Sequence, residues 1–247
     1  MRQYDETTYG EHWAPFYRDR SLGVPSPEPT VAFVERLVGS TADLLDLGCG
    51  DGKFAVAMAN RGHRVTAVDT SSSMLELLRK EDDEGRVAVE QASMLEISYD
   101  AQFDVVTILG LSLLQLPSQE AQLECLEKVA RSLKPNGRAI IEGLNPDLSR
   151  YQSSQEVLVT EISAERTIIR PAIVNQKDQT IDSSTLVFDH DADSVTRLPC
   201  RIRYMWKSEM DLAAMIYGMS PVRTWANWQF VKYSGRPGVF ISCFEKV

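Results

Sequence analysis

The chain is 247 residues long, with 26 Lys and Arg against 35 Asp and Glu, a formal charge of −9. Apolar residues make up 43% and charged residues 25%, globular proportions that exclude a disordered, fibrous or collagen-like chain. The length suits one large α/β domain or two small ones, and the acidic balance gives no bulk attraction for nucleic acid or an anionic membrane.

The N-terminal residues Met1 to Glu6 carry no apolar core of the signal-peptide type, and no apolar run approaches the ~18 residues of a membrane span. Cys49, Cys125, Cys200 and Cys243 lie far apart and form no CxxC pair. The expectation is a cytoplasmic protein with reduced thiols and no bound metal.

An aromatic stretch from Tyr4 to Arg20 opens the chain, and Leu22 to Pro29, with three prolines and a glycine, reads as a loop. From Val31 strands and helices alternate. Val31 to Val38 reads as a helix and Asp43 to Leu47 as a strand, followed by Gly48-Cys49-Gly50-Asp51-Gly52. Phe54 to Asn60 is helical. Arg64 to Val68 is a second strand closing on Asp69, and Ser72 or Ser73 caps a helix to about Lys80. Arg86 to Glu90 and Phe103 to Leu109 are the third and fourth strands. Gln119 to Leu133 is a long helix stopped by Lys134-Pro135-Asn136-Gly137, and Arg138 to Glu142 is a fifth strand. This order predicts βαβ units in a parallel sheet.

From Glu156 to Tyr204 the pattern changes to Val, Ile and Thr alternating with polar residues, with turns near Asn175 to Lys177 and Asp191 to Asp193. It reads as an inserted antiparallel meander of three or four strands. Ser208 with Asp211 resembles a capping box, for a helix ended by Gly218. Two last strands follow, Val222 to Phe230 and Val239 to Phe244.

The glycine loop lets the backbone turn sharply and approach a ligand, and the helix behind it offers free N–H groups. Asp69 ends the next strand, where a carboxylate can accept from both hydroxyls of a ribose. A nicotinamide dinucleotide wants Gly-x-Gly-x-x-Gly and a bare loop for its pyrophosphate. Here the spacing is Gly48-x-Gly50-x-Gly52, and Asp46 stands two residues ahead. A carboxylate there repels a pyrophosphate and suits an amino group or a sulfonium.

Asp46-Leu47-Gly48-Cys49-Gly50-Asp51-Gly52 resembles the cofactor signature of class I S-adenosylmethionine-dependent methyltransferases. Ala92-Ser93-Met94-Leu95 resembles the adenine-contacting stretch, Leu133 to Arg138 the turn before the fifth strand, and Gly218-Met219 the Gly-Phe before the last hairpin. The resemblance implies an α/β fold with a Rossmann-like seven-stranded sheet, helices on both faces, an N-terminal aromatic lid and an antiparallel β cap. The parts expected are a lid at residues 1–30, a core at 31–148, the cap at 149–206 and a closing helix and hairpin at 207–247.

The same resemblance assigns roles. Asp46 and the backbone of Gly48, Cys49 and Gly50 hold the methionine moiety. Asp69 binds the ribose with Thr70 beside it, and Met74 packs on the adenine. Ser93 and Met94 flank the adenine amine, and Leu109 lends its carbonyl to the amino group. The family usually has Asp where Ser93 stands, and a hydroxyl there bonds more weakly than a carboxylate.

Asn/Asp-Pro-Pro-Tyr after the fourth strand, twin glutamates for a guanidinium and an acidic metal cluster are all missing. That leaves a small-molecule acceptor. Tyr4 to Tyr17 and the insert ending Arg203-Tyr204-Met205-Trp206 resemble the lid and cap of sugar N-methyltransferases and glycine N-methyltransferase-like enzymes, some of secondary metabolism. In some of these the cap pairs subunits, so a homodimer through it is expected.

An amine acceptor needs only to arrive neutral, whereas a hydroxyl or carbon acid needs a base, and nitrogen is slightly favoured. Candidate bases or orienting groups are Glu142, His12 and Gln115. His63 precedes the second strand, at the wrong end of the sheet, and His190 reads as a solvated turn. Tyr9, Trp13 and Tyr17 recur every four residues on one helical face. Tyr204 and Trp206 share one face of a strand. These five, with Asn145 in the turn after the fifth strand, are the acceptor-side candidates, though each aromatic reads equally as core packing. Trp225 and Trp228 read as structural, and Glu81 to Glu84 as a solvated helix end. Two other readings stay open: transfer or cyclisation of the cofactor's aminobutyrate chain, and a non-catalytic cofactor-binding module.

Overall fold

The computed structural model describes residues 4–17, 26–39 and 41–247. The lid and loop readings at residues 1–3 and 18–25 lie outside them. In chain order the elements are α1 (Thr8–Trp13), a 3-10 turn (Ala14–Phe16), α2 (Glu28–Val38), β1 (Asp43–Leu47), α3 (Lys53–Asn60), β2 (Arg64–Asp69) and α4 (Ser72–Glu81). Then come β3 (Val87–Gln91), β4 (Phe103–Ile108), α5 (Gln119–Ser132), β5 (Leu133–Asn145), β6 (Gln155–Ile162), β7 (Arg166–Asn175), β8 (Thr180–Asp189), β9 (Ser194–Arg203), α6 (Lys207–Ile216), β10 (Met219–Trp225) and β11 (Gly238–Lys246).

Seven strands form one mixed sheet in the order β10-β11-β5-β4-β1-β2-β3. β1 to β5 pair in parallel, while β11 pairs antiparallel with β5 and β10. Side chains alternate between two cores, as the two-residue period of a strand requires. Leu45, Val106, Ile141 and Phe240 face one core, and Leu44, Val105, Ile140 and Ile241 the other. The chain runs outward from β1 to β3, then returns to place β4 on the other side of β1. A crevice opens at such a reversal, outside the carboxyl ends of the strands.

β6 to β9 form a separate four-stranded antiparallel sheet. Its last strand is tied to the core by the buried Arg203, which donates to Gln122 at 2.6 Å and to Glu209 of α6 at 2.9 Å. Tyr204 and Met205, just beyond it, join the core beside α5 and α6. Edge strand β6 carries an exposed apolar row, Val157, Val159 and Ile162.

Several boundaries differ from expectation, each for a local reason. α2 begins at Glu28, inside the expected loop, because Pro29 fits a first helical turn. Ser71, not Ser72 or Ser73, caps α4: its side chain accepts from the Met74 N–H. β5 begins at Leu133, and the expected turn survives as a left-handed Asn136 (φ +62°) within it. Ser208 does not cap α6. The capping position belongs to Trp206, in extended conformation and without a side-chain bond. β10 runs from Met219 and ends at Trp225, since Phe230 (φ +61°) has left the extended region.

Candidate active site

The crevice beside β1 and β4 opens into a cavity of about 550 Å³. Its floor is the glycine loop. Gly48 sits at φ +71°, and a Cβ there would stand 2.6 Å from Cβ of Ser112, so only glycine fits the turn and the approach. The Gly48 and Cys49 N–H groups are held by the Val68 carbonyl at 2.8 and 3.1 Å, and Gly50 N–H donates to Asp69 Oδ2 at 2.8 Å. Asp69 Oδ1 accepts from Ser71 N–H at 2.9 Å. One carboxylate thus joins the glycine loop to the start of α4.

Asp46 lies under the loop and is 2% exposed. Thr107 Oγ1 donates to it at 2.8 Å. Burial pushes the Asp46 carboxyl up to about 7, with the nearby Asp69 adding to the rise and the Thr107 bond opposing it. Burial also raises Asp69. A buried acid with this little compensation suits a cationic ligand. Glu142, near the end of β5, accepts from Gly110 N–H at 2.6 Å. Burial raises its carboxyl too, against that bond.

The N-terminal segment, expected as a lid, lines the cavity through Tyr9, Gly10, Trp13 and Tyr17. Tyr9 and Trp13 stack with ring centroids 5.4 Å apart, and the Trp13 indole donates to the Pro199 carbonyl of β9 at 3.1 Å. Glu11 holds the start of α4, accepting from Ser71 Oγ at 2.8 Å and Ser73 Oγ at 2.5 Å. The Ser73 bond is the main cause holding the Glu11 carboxyl below the usual range. A carboxylate at a helix N-terminus also meets free N–H groups and the positive end of the dipole. Gly10 makes the docking possible: a Cβ there would fall 2.4 Å from Cβ of Ser71. Tyr17 stands over Gly50, and burial followed by the charges of Asp51 and Asp69 raises its phenol.

The cavity is lined by Asp46, Gly48, Cys49, Gly50, Asp69, Thr70, Met74, Met94 and Leu109, and by Tyr9, Trp13, Tyr17, Gln115 and Glu142. Five expected residues lie outside this lining. His12 points away, its Nδ1 paired with the Thr8 carbonyl one turn back at 2.9 Å. Ser93 is turned to Glu6, with Oγ donating to Glu6 Oε2 at 2.5 Å. Asn145 spends its amide on the Gly235 and Arg236 carbonyls. Tyr204 is buried in the core and packs edge-on against Trp206. His63 and His190 also lie elsewhere, bonded to Ala42 N–H and to Thr167 and the Ala164 carbonyl respectively.

Sequence reasoning missed Glu6 of the lid, Arg170, Ser183, Thr185 and Cys200 of the second sheet, and Trp228, all of which line the cavity. Two-residue alternation on β7 and β8 was the available signal for Arg170, Ser183 and Thr185, but it cannot say which face meets a ligand. Among the described residues no group of three or more His, Cys, Asp or Glu is arranged to hold a metal ion. None of the described helices is long and apolar enough to cross a membrane.

Residues 44–137 match the family described as a methyltransferase domain. The chain is 26% identical over 204 residues to a cypemycin N-terminal methyltransferase of a Streptomyces species, covering 82% of each chain. The structure resembles the CcbJ methyltransferase of Streptomyces caelestis with a TM-score of 0.90, 24% identity and coverage of 99% of this chain and 100% of that one. It also resembles S-adenosylmethionine-bound CalS10, an amino pentose methyltransferase of Micromonospora echinaspora, with a TM-score of 0.71, 19% identity and coverage of 93% and 94%.

Proposed function

We propose that this chain, a class I S-adenosylmethionine-dependent methyltransferase, methylates an amine nitrogen of a small molecule. The observation that carries the reading is one continuous cavity. It joins the acidic glycine-loop floor to a vestibule of lid and second-sheet residues, with Glu142 between Gly110 and the open space.

When bound, the cofactor supplies an electrophilic methyl carbon on a sulfonium. Asp46 and the Gly48–Gly50 backbone hold its methionine end, and the Leu109 carbonyl accepts from its amino group. Asp69 takes the ribose hydroxyls, and Met74 and Met94 enclose the base. The buried Asp46 and the half-buried Asp69 favour a ligand carrying positive charge. Of residues 1–30, the described residues 4–17 act as lid, with 31–148 as core, 149–206 as cap and 207–247 completing the core sheet.

Tyr9, Trp13 and Tyr17 exclude water and fix the acceptor. Such orientation can supply ~7–11 kcal/mol of a bimolecular barrier. Glu142 accepts the acceptor's N–H, aims its lone pair, and can take the proton released at nitrogen. Gln115 adds a neutral polar contact. A similar chain is named as an N-terminal methyltransferase, and the N-terminus of a peptide is an amine, which supports this reading.

The test is Glu142→Gln. Activity on the acceptor should fall by about 10²-fold with cofactor affinity unchanged by calorimetry. Unchanged turnover would remove Glu142 and the amine reading built on it. The exposed row on β6 supports pairing of two copies through the cap, because a bare apolar edge strand is a template for another strand. Light scattering should find a dimer that Val159→Lys dissociates; a wild-type monomer would end that part of the reading.

A further inference from the structure

The base end of the cavity is closed by a residue from outside the core. Thr70, after β2, and Ala92 and Met94, after β3, line the cavity here. Glu6 of the lid spans them. Its backbone carbonyl accepts from Thr70 Oγ1 at 3.1 Å, and its carboxylate accepts from Ser93 Oγ at 2.5 Å. Glu6 itself lines the cavity, while Ser93 does not. Glu6 thus presents a carboxylate to the same cavity that Met74 and Met94 line.

A carboxylate accepts hydrogen bonds and cannot donate them. It rewards a base edge that carries an amine and penalises one that carries a carbonyl. From this we infer that Glu6 is a specificity-determining residue for the cofactor: its carboxylate receives the exocyclic amine of the adenine, and closure of the lid completes the base pocket. The inference rests on the S-adenosylmethionine reading above. It makes cofactor binding and lid docking one event, because the acceptor atom arrives only with the segment that also carries Tyr9, Gly10 and Glu11. Thr70 and Ser93 are positioning residues, holding the Glu6 backbone and carboxylate respectively.

Calorimetry with S-adenosylhomocysteine and with S-inosylhomocysteine, which has a carbonyl in place of the amine, separates the possibilities. Wild type should prefer the adenine compound by about tenfold or more, the size of a hydrogen bond to a charged group. Glu6→Gln and Glu6→Ala should collapse that ratio toward one, since a carboxamide can donate to the carbonyl and alanine does neither. If Glu6 only fastens the lid, both variants will weaken both compounds equally and keep the ratio, which overturns the inference. Wild type failing to bind S-adenosylhomocysteine at all would instead defeat the cofactor reading beneath it.

Discussion

At the scale of single residues, the site trades stability for ligand charge. Asp46 has its pKa raised from the usual carboxylate range to about 7 by burial. A raised acid stabilises the fold below its unfolded pKa of 3.8, and that contribution is lost as pH climbs through about 7. Without ligand, Asp46→Asn should therefore melt higher than wild type at pH 8 and gain nothing at pH 3.5; the gain is on the order of 1–3 kcal/mol. An asparagine can still accept from Thr107. A cationic ligand reverses the preference. Wild-type affinity for S-adenosylmethionine should rise with pH between 6 and 8 with proton release, and Asp46→Asn should bind about 10–100-fold more weakly. Equal melting and equal affinity would show that the Asp46 charge is not used. The gathering of Asp46, Gly48, Gly50 and Asp69 around one cavity was legible because their partners lie in one strand-loop-helix-strand unit. His12 and Tyr204 were misplaced because spacing gives a helical or strand face without saying whether that face meets solvent, core or cavity.

At the scale of elements, helices and strands with strong apolar periods read well and their ends read poorly. β1 was legible to the residue because Asp43 to Leu47 is bounded by the glycine loop and buried from Leu44 onward. α6 was misread at its start because Ser208 with Asp211 imitates a cap, while Lys207 pairs with Asp211 across the first turn instead. The lid shows the deeper limit. Glu11 and Gly10 are an exposed acid and a helical glycine in sequence, yet each meets Ser71 some 60 residues away. Gly10→Val should push α1 from α4. Hydrogen exchange should rise in Thr8–Trp13 and stability should fall by about 1–3 kcal/mol, with β1 and β4 still protected. Unchanged protection of α1 would mean that the contact with Ser71 does not hold the lid.

At the scale of the molecule, the α/β class and an antiparallel insert of three or four strands were readable from the pattern, and the seven-stranded sheet from the family resemblance. Alternating elements leave few ways to wind a sheet, and right-handed crossovers remove most of those. How the insert meets the core was not readable. That contact depends on Arg203 reaching Gln122, Gln179 and Glu209 on three separate segments, and on Trp13 reaching Pro199. The cavity exists because lid, core and insert converge there, so its chemistry belongs to no single segment. The most direct measurement is mass spectrometry of the purified protein incubated with S-adenosylmethionine and a metabolite extract of its host. The account predicts S-adenosylhomocysteine together with an amine-bearing metabolite heavier by one CH2 unit. Methylthioadenosine without any methylated product would contradict it and point to chemistry on the aminobutyrate chain.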